Sequence, residues 1–225
     1  MKPIFKTVAL LATVVLLTNP VHAQTAGTWL VKFGVNQIAP DVQSEDLSAP
    51  SAPGSKVDVD ANIQPIGSLA YMYTDNVSVE GYFGLPYEHD IVGAGAMAEV
   101  GRIGQVNQVS PTVFFQYRAN EASSVVRPYA GLGITLAYFY GMEGSAALTA
   151  VTNPGGAPTK LTLDKRAKLA LSPQLGLSVK VKEGWFVDAS VIKTFISNTA
   201  RLSTGQSVKV KLDPVSVGFS VGKQF

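Results

Sequence analysis

His89 stands between Glu88 and Asp90 in the segment Pro86-Tyr-Glu-His-Asp90. An imidazole beside carboxylates can ligate a divalent metal or carry protons at neutral pH. The chain supplies too little else for either. Its other histidine, His22, lies in an apolar N-terminal leader, and cysteine is absent. No Ser, Asp and His stand at a recognisable hydrolase spacing. Gly155-Gly156 lacks the Lys-Ser/Thr that completes a phosphate-binding loop. Solvated loop charges are therefore expected around His89, with no enzyme activity, no metal site and no cofactor.

A second set of charges suggests different chemistry. Lys32, Glu80, Arg127 and Asp188 each fall near the start of a segment that otherwise alternates apolar and small or polar residues. All four take the parity opposite the apolar one. Two cations and two anions at one level can pair, and a buried charge without a partner is very costly. Arg127 is expected to pair with Glu80 or Asp188, and the four charges to close a floor.

The elements that would position them have a period of two, the signature of strands with one apolar face. Eight such segments are legible, at about 28–39, 62–73, 77–86, 107–118, 125–140, 167–182, 185–196 and 207–225. In the sixth, Leu169, Leu171, Leu175, Leu177, Val179 and Val181 oppose Lys168, Ala170, Ser172, Gln174, Gly176, Ser178 and Lys180. The eighth changes parity near Asp213-Pro214, which predicts a bulge. Pro65, Pro111, Pro128 and Pro173 fall inside segments, on the apolar parity, and predict local ladder defects. Connections alternate: 74–76, 119–124 and 183–184 are tight, whereas 40–61, 87–106, 141–166 and 197–206 are long loops rich in small residues.

Composition bounds the class. Hydrophobic residues make up 46% and charged residues 15%, and the net charge of +2 argues against nucleic-acid binding. Lys2 and Lys6, the short apolar run 8–17 and Val21-His22-Ala23 read as a secretory signal over 1–23, leaving a single domain over 24–225. Beyond residue 23 no run approaches the ~18 apolar residues of a membrane helix. Only helices and closed barrels satisfy the backbone in lipid. An all-β, eight-stranded antiparallel transmembrane barrel is expected, with short periplasmic turns, long outer loops and both termini periplasmic. The last strand alternates Val215, Val217, Phe219 and Val221 with small residues and stops on Phe225. It resembles the closing strand of outer-membrane barrels, whose aromatic end is an assembly signal read by the barrel assembly machinery.

Several stretches carry a closer resemblance: Tyr71-Met-Tyr-Thr-Asp-Asn-Val-Ser-Val-Glu80, Leu85-Pro-Tyr-Glu-His89, Ser110-Pro-Thr112, Arg127-Pro-Tyr-Ala-Gly-Leu-Gly133, Trp185-Phe-Val-Asp-Ala-Ser-Val191 and Lys211-Leu-Asp-Pro214. With them the chain resembles the OmpW/AlkL family of small outer-membrane proteins. The resemblance implies a narrow apolar channel that passes small hydrophobic compounds and releases them sideways into lipid. It also implies an apolar constriction at Tyr82 and Ile192. The loops share no clear resemblance.

The inward parity allows two readings. Tyr82, Phe114, Tyr129, Phe139, Ile192 and Met72 make it unusually apolar for a lumen, and they are the expected solute path. A barrel of eight strands is just wide enough for side chains to fill, so a packed core is the alternative. Inward Gly131 and Gly133 favour open space. The expected function is a passive channel whose partners are outer-membrane lipids and small hydrophobic solutes; the alternative is a structural, receptor or adhesin barrel acting through its loops.

Overall fold

Alternating residues place successive side chains on opposite faces of a strand, and a sheet with one lipid-facing side closes on itself to lose its edges. A computed structural model of the chain describes residues 24–182 and 184–225; the expected signal, 1–23, lies outside them. The described chain forms strands β1 (Trp29–Ala39), β2 (Gln43–Ser44), β3 (Ser55–Val59), β4 (Asn62–Met72), β5 (Val77–Gly84), β6 (Tyr87–Gly95), β7 (Arg102–Val109), β8 (Thr112–Arg118), β9 (Val126–Gly144), β10 (Leu161–Leu163), β11 (Ala167–Lys182), β12 (Trp185–Lys193), β13 (Ser197–Leu202), β14 (Ser207–Lys211) and β15 (Val215–Gln224). A short helix, α1 (Ala146–Thr152), precedes β10.

Eight of these strands close a ring in the order β1-β4-β5-β8-β9-β11-β12-β15, every neighbour antiparallel. The seam joins the chain ends: Trp29 and Phe225 exchange backbone hydrogen bonds of 3.0 and 2.9 Å. The apolar parity faces out. Phe33, Phe83, Phe115 and Leu175 are 54–68% exposed, as lipid-facing residues of a barrel are in the absence of lipid. Aromatic residues mark both rims. Trp29 packs on Tyr71 at 4.9 Å near the turns, and Tyr138 stacks with Tyr140 at 6.0 Å toward the loops.

Two of the segments read as continuous are divided at a proline: Ser110-Pro111 separates β7 from β8, and Asp213-Pro214 separates β14 from β15. The third segment ends at Pro86 as read, but a further strand, β6, follows it where a loop was expected. Asp213 has φ +28°, so the anticipated irregularity is a full break. Pro65, Pro128 and Pro173 do lie within ladders, opposite Val35, Leu177 and Leu132.

The long loops carry strands and a helix of their own. Above the ring, β3-β6-β7 adds to the upper part of β9, while β10-β13-β14-β2 forms a separate four-stranded sheet. Ser145 caps α1, its Oγ accepting from the Leu148 amide at 3.1 Å. Leu47, Val57, Met97, Ile103, Leu148, Leu161, Leu202, Val208 and Val210 bury one another into an extracellular cap. Loop residues that lack strand-long alternation thus share an apolar core of their own.

Candidate functional site

The lumen is built in layers. At the turn end Leu30, Ala70, Met72 and Phe186 pack together, with Leu30, Ala70 and Met72 fully buried. Met72, expected along the solute path, therefore lies beneath the floor: it is the last residue of β4, beside the 74–76 turn.

Above this layer lie the charges. Lys32 on β1 reaches Glu80 on β5 at 2.7 Å and Asp188 on β12 at 3.2 Å, all three buried. One cation thus holds two carboxylates. Glu80 also accepts from Gln116, and Asp188 accepts from Tyr129 Oη at 2.9 Å and from Ser178 Oγ. Tyr129 belongs to this floor rather than to the path above it. Arg127 joins neither acid. Its Nη1 donates to the Gln24 carbonyl at 3.0 Å and its Nη2 to the Asp75 carbonyl. The expected pairing is corrected on simple grounds: Arg127 is the second residue of β9, so turn carbonyls are nearer than either acid.

The second cation of the layer is Arg118, which sequence reading passed over. It ends β8 and donates to Ser78 Oγ at 3.3 Å, Ser178 Oγ at 3.2 Å and Gln116 Oε1 at 2.9 Å, while its guanidinium lies 4.6 Å from the Tyr129 ring centre. The available signal was its parity, shared with Gln116 and Phe114 on the same strand. Gln116 extends the network to Gln174 at 2.7 Å. The layer is thus tied together by side chains of five strands of the ring.

Ile66, Tyr82, Phe114 and Ile192 form the next layer, with Tyr82 and Phe114 edge to face at 6.2 Å. Beside it a chain of hydroxyls crosses the wall: Thr112 to Thr135 at 2.8 Å, Thr135 to Ser172 at 2.6 Å and Ser172 to Thr194 at 2.9 Å. The glycines below do not leave the room expected of them. A Cβ on Gly133 would meet the Phe114 ring at 2.5 Å, and one on Gly176 would meet the Tyr129 ring at 2.1 Å. They are seats for aromatic rings.

Space opens above Tyr82. A cavity of about 120 Å³ runs from Tyr82 and Ile192 past Phe139 to Leu148 and Leu161 in the cap. Its size is close to the ~150 Å³ at which an apolar cavity stays dry and admits benzene. No Lys, Arg, Asp or Glu lines it. Tyr82, Phe139 and Ile192 line this space, while Phe114 supports it from below. His89, read as a solvated loop residue, is buried at 2% exposure and faces the cavity. It stacks on Tyr87, its Nδ1–H donating to the Asp60 carbonyl at 2.8 Å. Its neighbour Asp90 pairs outside with Arg102 at 2.6 Å. Among the described residues no group of three or more His, Asp or Glu is placed to hold a metal ion.

Above the ring, Asp164 and Arg201 make an exposed bidentate pair, with Arg201 Nη2 3.1 Å from Asp164 Oδ2. The hydrogen bonds from Arg201 hold the Asp164 carboxyl below the usual carboxylate range.

Comparison with known proteins fits this architecture. The crystal structure of OprG from Pseudomonas aeruginosa superposes with a TM-score of 0.78 at 24% identity, covering 91% of this chain and 99% of that one. The solid-state NMR structure of AlkL in lipid bilayers superposes with a TM-score of 0.64 at 17% identity, covering 96% and 97%. Outer membrane protein W of Vibrio cholerae is 30% identical over 216 residues, 93% of this chain and 94% of that protein. A sequence model described as the OmpW family matches residues 25–225. With its closed eight-stranded wall and lipid-facing apolar band, the chain belongs to the OmpW family of outer-membrane β-barrel proteins.

Proposed function

We propose that this barrel is a passive channel for small apolar molecules. Solute enters through the cap, occupies the upper cavity, meets the closed floor and leaves sideways into the lipid. The observation that carries this reading is an apolar cavity stacked over a layer in which buried Lys32 pairs with Glu80 and Asp188. An apolar solute gains free energy in the first and would have to displace ion pairs to pass the second. Nothing in this scheme needs energy coupling, since partition into lipid draws solute out.

A side route is supported by the split above the ring. A crevice between the top of β9 and β10 is lined by Met142 and Leu161, and the same two residues line the cavity. Outer-membrane lipid is then the receiving phase. Phe225, at the end of the closing strand and 66% exposed, is proposed as the signal for the assembly machinery.

The test is uptake of toluene by cells carrying the wild type or Ile192→Asp, normalised to folded, heat-modifiable barrel. An isolated carboxylate in the cavity pays desolvation and repels apolar solute. Uptake by the variant is expected to fall toward that of cells lacking the protein. If wild-type cells take up toluene no faster than cells without the barrel, the channel reading fails and a role for the folded cap as a receptor surface takes its place.

A further inference from the structure

The lower end of the cavity is not apolar. Asn36 Oδ1 and Tyr82 Oη are buried there without a protein hydrogen-bond partner, on side chains 2% and 8% exposed. They converge. An atom at the Cβ position of Gly218 would lie 3.3 Å from Asn36 Oδ1, 3.3 Å from Tyr82 Oη and 3.3 Å from Ser190 Oγ. Both groups line the cavity, on β1 and β5, and on β15 Gly218, having no side chain, lets their polar ends come within 3.3 Å of where a Cβ would stand.

Buried polar groups are normally satisfied, so two orphans aimed at one point indicate a ligand group that completes them. Their chemistry defines it. The Asn36 amide nitrogen already donates to Tyr87 Oη at 2.9 Å, and the atom left without a partner is Oδ1, an acceptor. Tyr82 offers a hydroxyl that must donate. The completing group accepts from Tyr82 and donates to Asn36. A hydroxyl does both; an ether or ester only accepts. The group is uncharged, because no charged side chain lines the cavity and the Lys32, Glu80 and Asp188 charges are spent on one another. His89 adds an acceptor higher up: its Nδ1–H is fixed by the Asp60 carbonyl, and Nε2 has no partner.

We infer that the cavity selects amphiphilic solutes, holding a neutral hydroxyl head between Asn36, Tyr82 and Ser190 over Gly218 with an apolar body upward against the cap. This rests on the channel reading and narrows its substrate class from hydrocarbons to small alcohols and phenols.

The test uses the full barrel in lipid nanodiscs and three probes of similar shape: para-fluorophenol, para-fluoroanisole and para-fluorotoluene. Fluorine NMR titration gives each affinity, corrected against nanodiscs without protein. The phenol is expected to bind roughly five- to tenfold tighter than the toluene, as one or two net hydrogen bonds imply, with the anisole between them. In Tyr82→Phe, and independently in Gly218→Ala, whose methyl fills the head position, the phenol-to-toluene ratio is expected to fall to about twofold or less. Equal binding of all three probes by the wild type overturns the hydroxyl site and assigns the orphans to a retained water, while the channel stands. Saturable binding of none overturns both.

Discussion

The lower lumen, from Phe186 up to Tyr82, and the upper lumen, from Tyr82 to Leu148, share one eight-stranded ancestry but differ in what faces inward. Below, large rings seat on glycines and Lys32 holds two acids, so the interior is solid. Above, the inward residues are apolar and spread over two sheets that no longer form one continuous ring. Strand number alone fixes an interior that side chains just fill. Whether it is filled depends on glycine placement and on where the wall splits. In this protein the split coincides with Pro86, Pro111 and Pro214, whereas Pro65, Pro128 and Pro173 stay within ladders, so a missing amide proton weakens pairing without ending a strand by itself.

The largest effect is expected where the lower half relies on paired charge. Lys32→Met leaves Glu80 and Asp188 buried without their cation and should cost about 3–5 kcal/mol in urea unfolding from vesicles. The triple variant Lys32→Met, Glu80→Leu, Asp188→Leu should recover most of that loss, because an apolar filling of similar volume is tolerated where a broken pair is not. If Lys32→Met unfolds with the wild type, the floor is hydrated and the contrast between the halves collapses.

A smaller effect separates the two kinds of inward glycine. Gly176→Ala drives a methyl into the Tyr129 ring, whereas Gly218→Ala meets only the ends of polar side chains at 3.3 Å beside the cavity. Overpacking costs roughly 1–3 kcal/mol in a filled core. The expectation is that range for Gly176→Ala and clearly less for Gly218→Ala, measured in the same unfolding assay. Equal costs would mean that the upper lumen is as tightly filled as the lower.

Much of the wall could be read from the sequence. The sixth segment was legible residue for residue as β11, because its leucines alternate without interruption. The cap could not be read that way. Its core joins Leu47, Met97, Leu148 and Leu202 from four different loops, and no periodicity links residues so far apart. The charge layer was half legible. Parity put Lys32, Glu80 and Asp188 inside, but parity carries no height finer than a strand end, so Arg127 was taken for a partner of the acids, when Lys32 holds both and Arg127 turns to the Gln24 and Asp75 carbonyls. His89 was misread for a related reason: polar neighbours in sequence point the other way on a strand, so Glu88 and Asp90 said nothing about its side of the wall.

The smallest effect is expected at a bidentate ion pair of the upper tier. Asp164 and Arg201 meet as directly as Lys32 and Glu80 do, yet their side chains are 36% and 59% exposed. Water already solvates both ions, so the pair gains little that separation would lose, and salt screens what remains. Arg201→Ala should therefore leave the urea midpoint where it is. The sign of any pH effect follows from the carboxyl. A value lowered by Arg201 stabilises the fold above the ordinary carboxylate pKa of about 4, and that contribution disappears as pH falls through the lowered value. In acid the wild type and Arg201→Ala should thus converge from an already negligible difference. A measurable loss in Arg201→Ala would mean that the cap excludes water from its outer face as the floor does from the lumen, and that burial is not what sets the two layers apart.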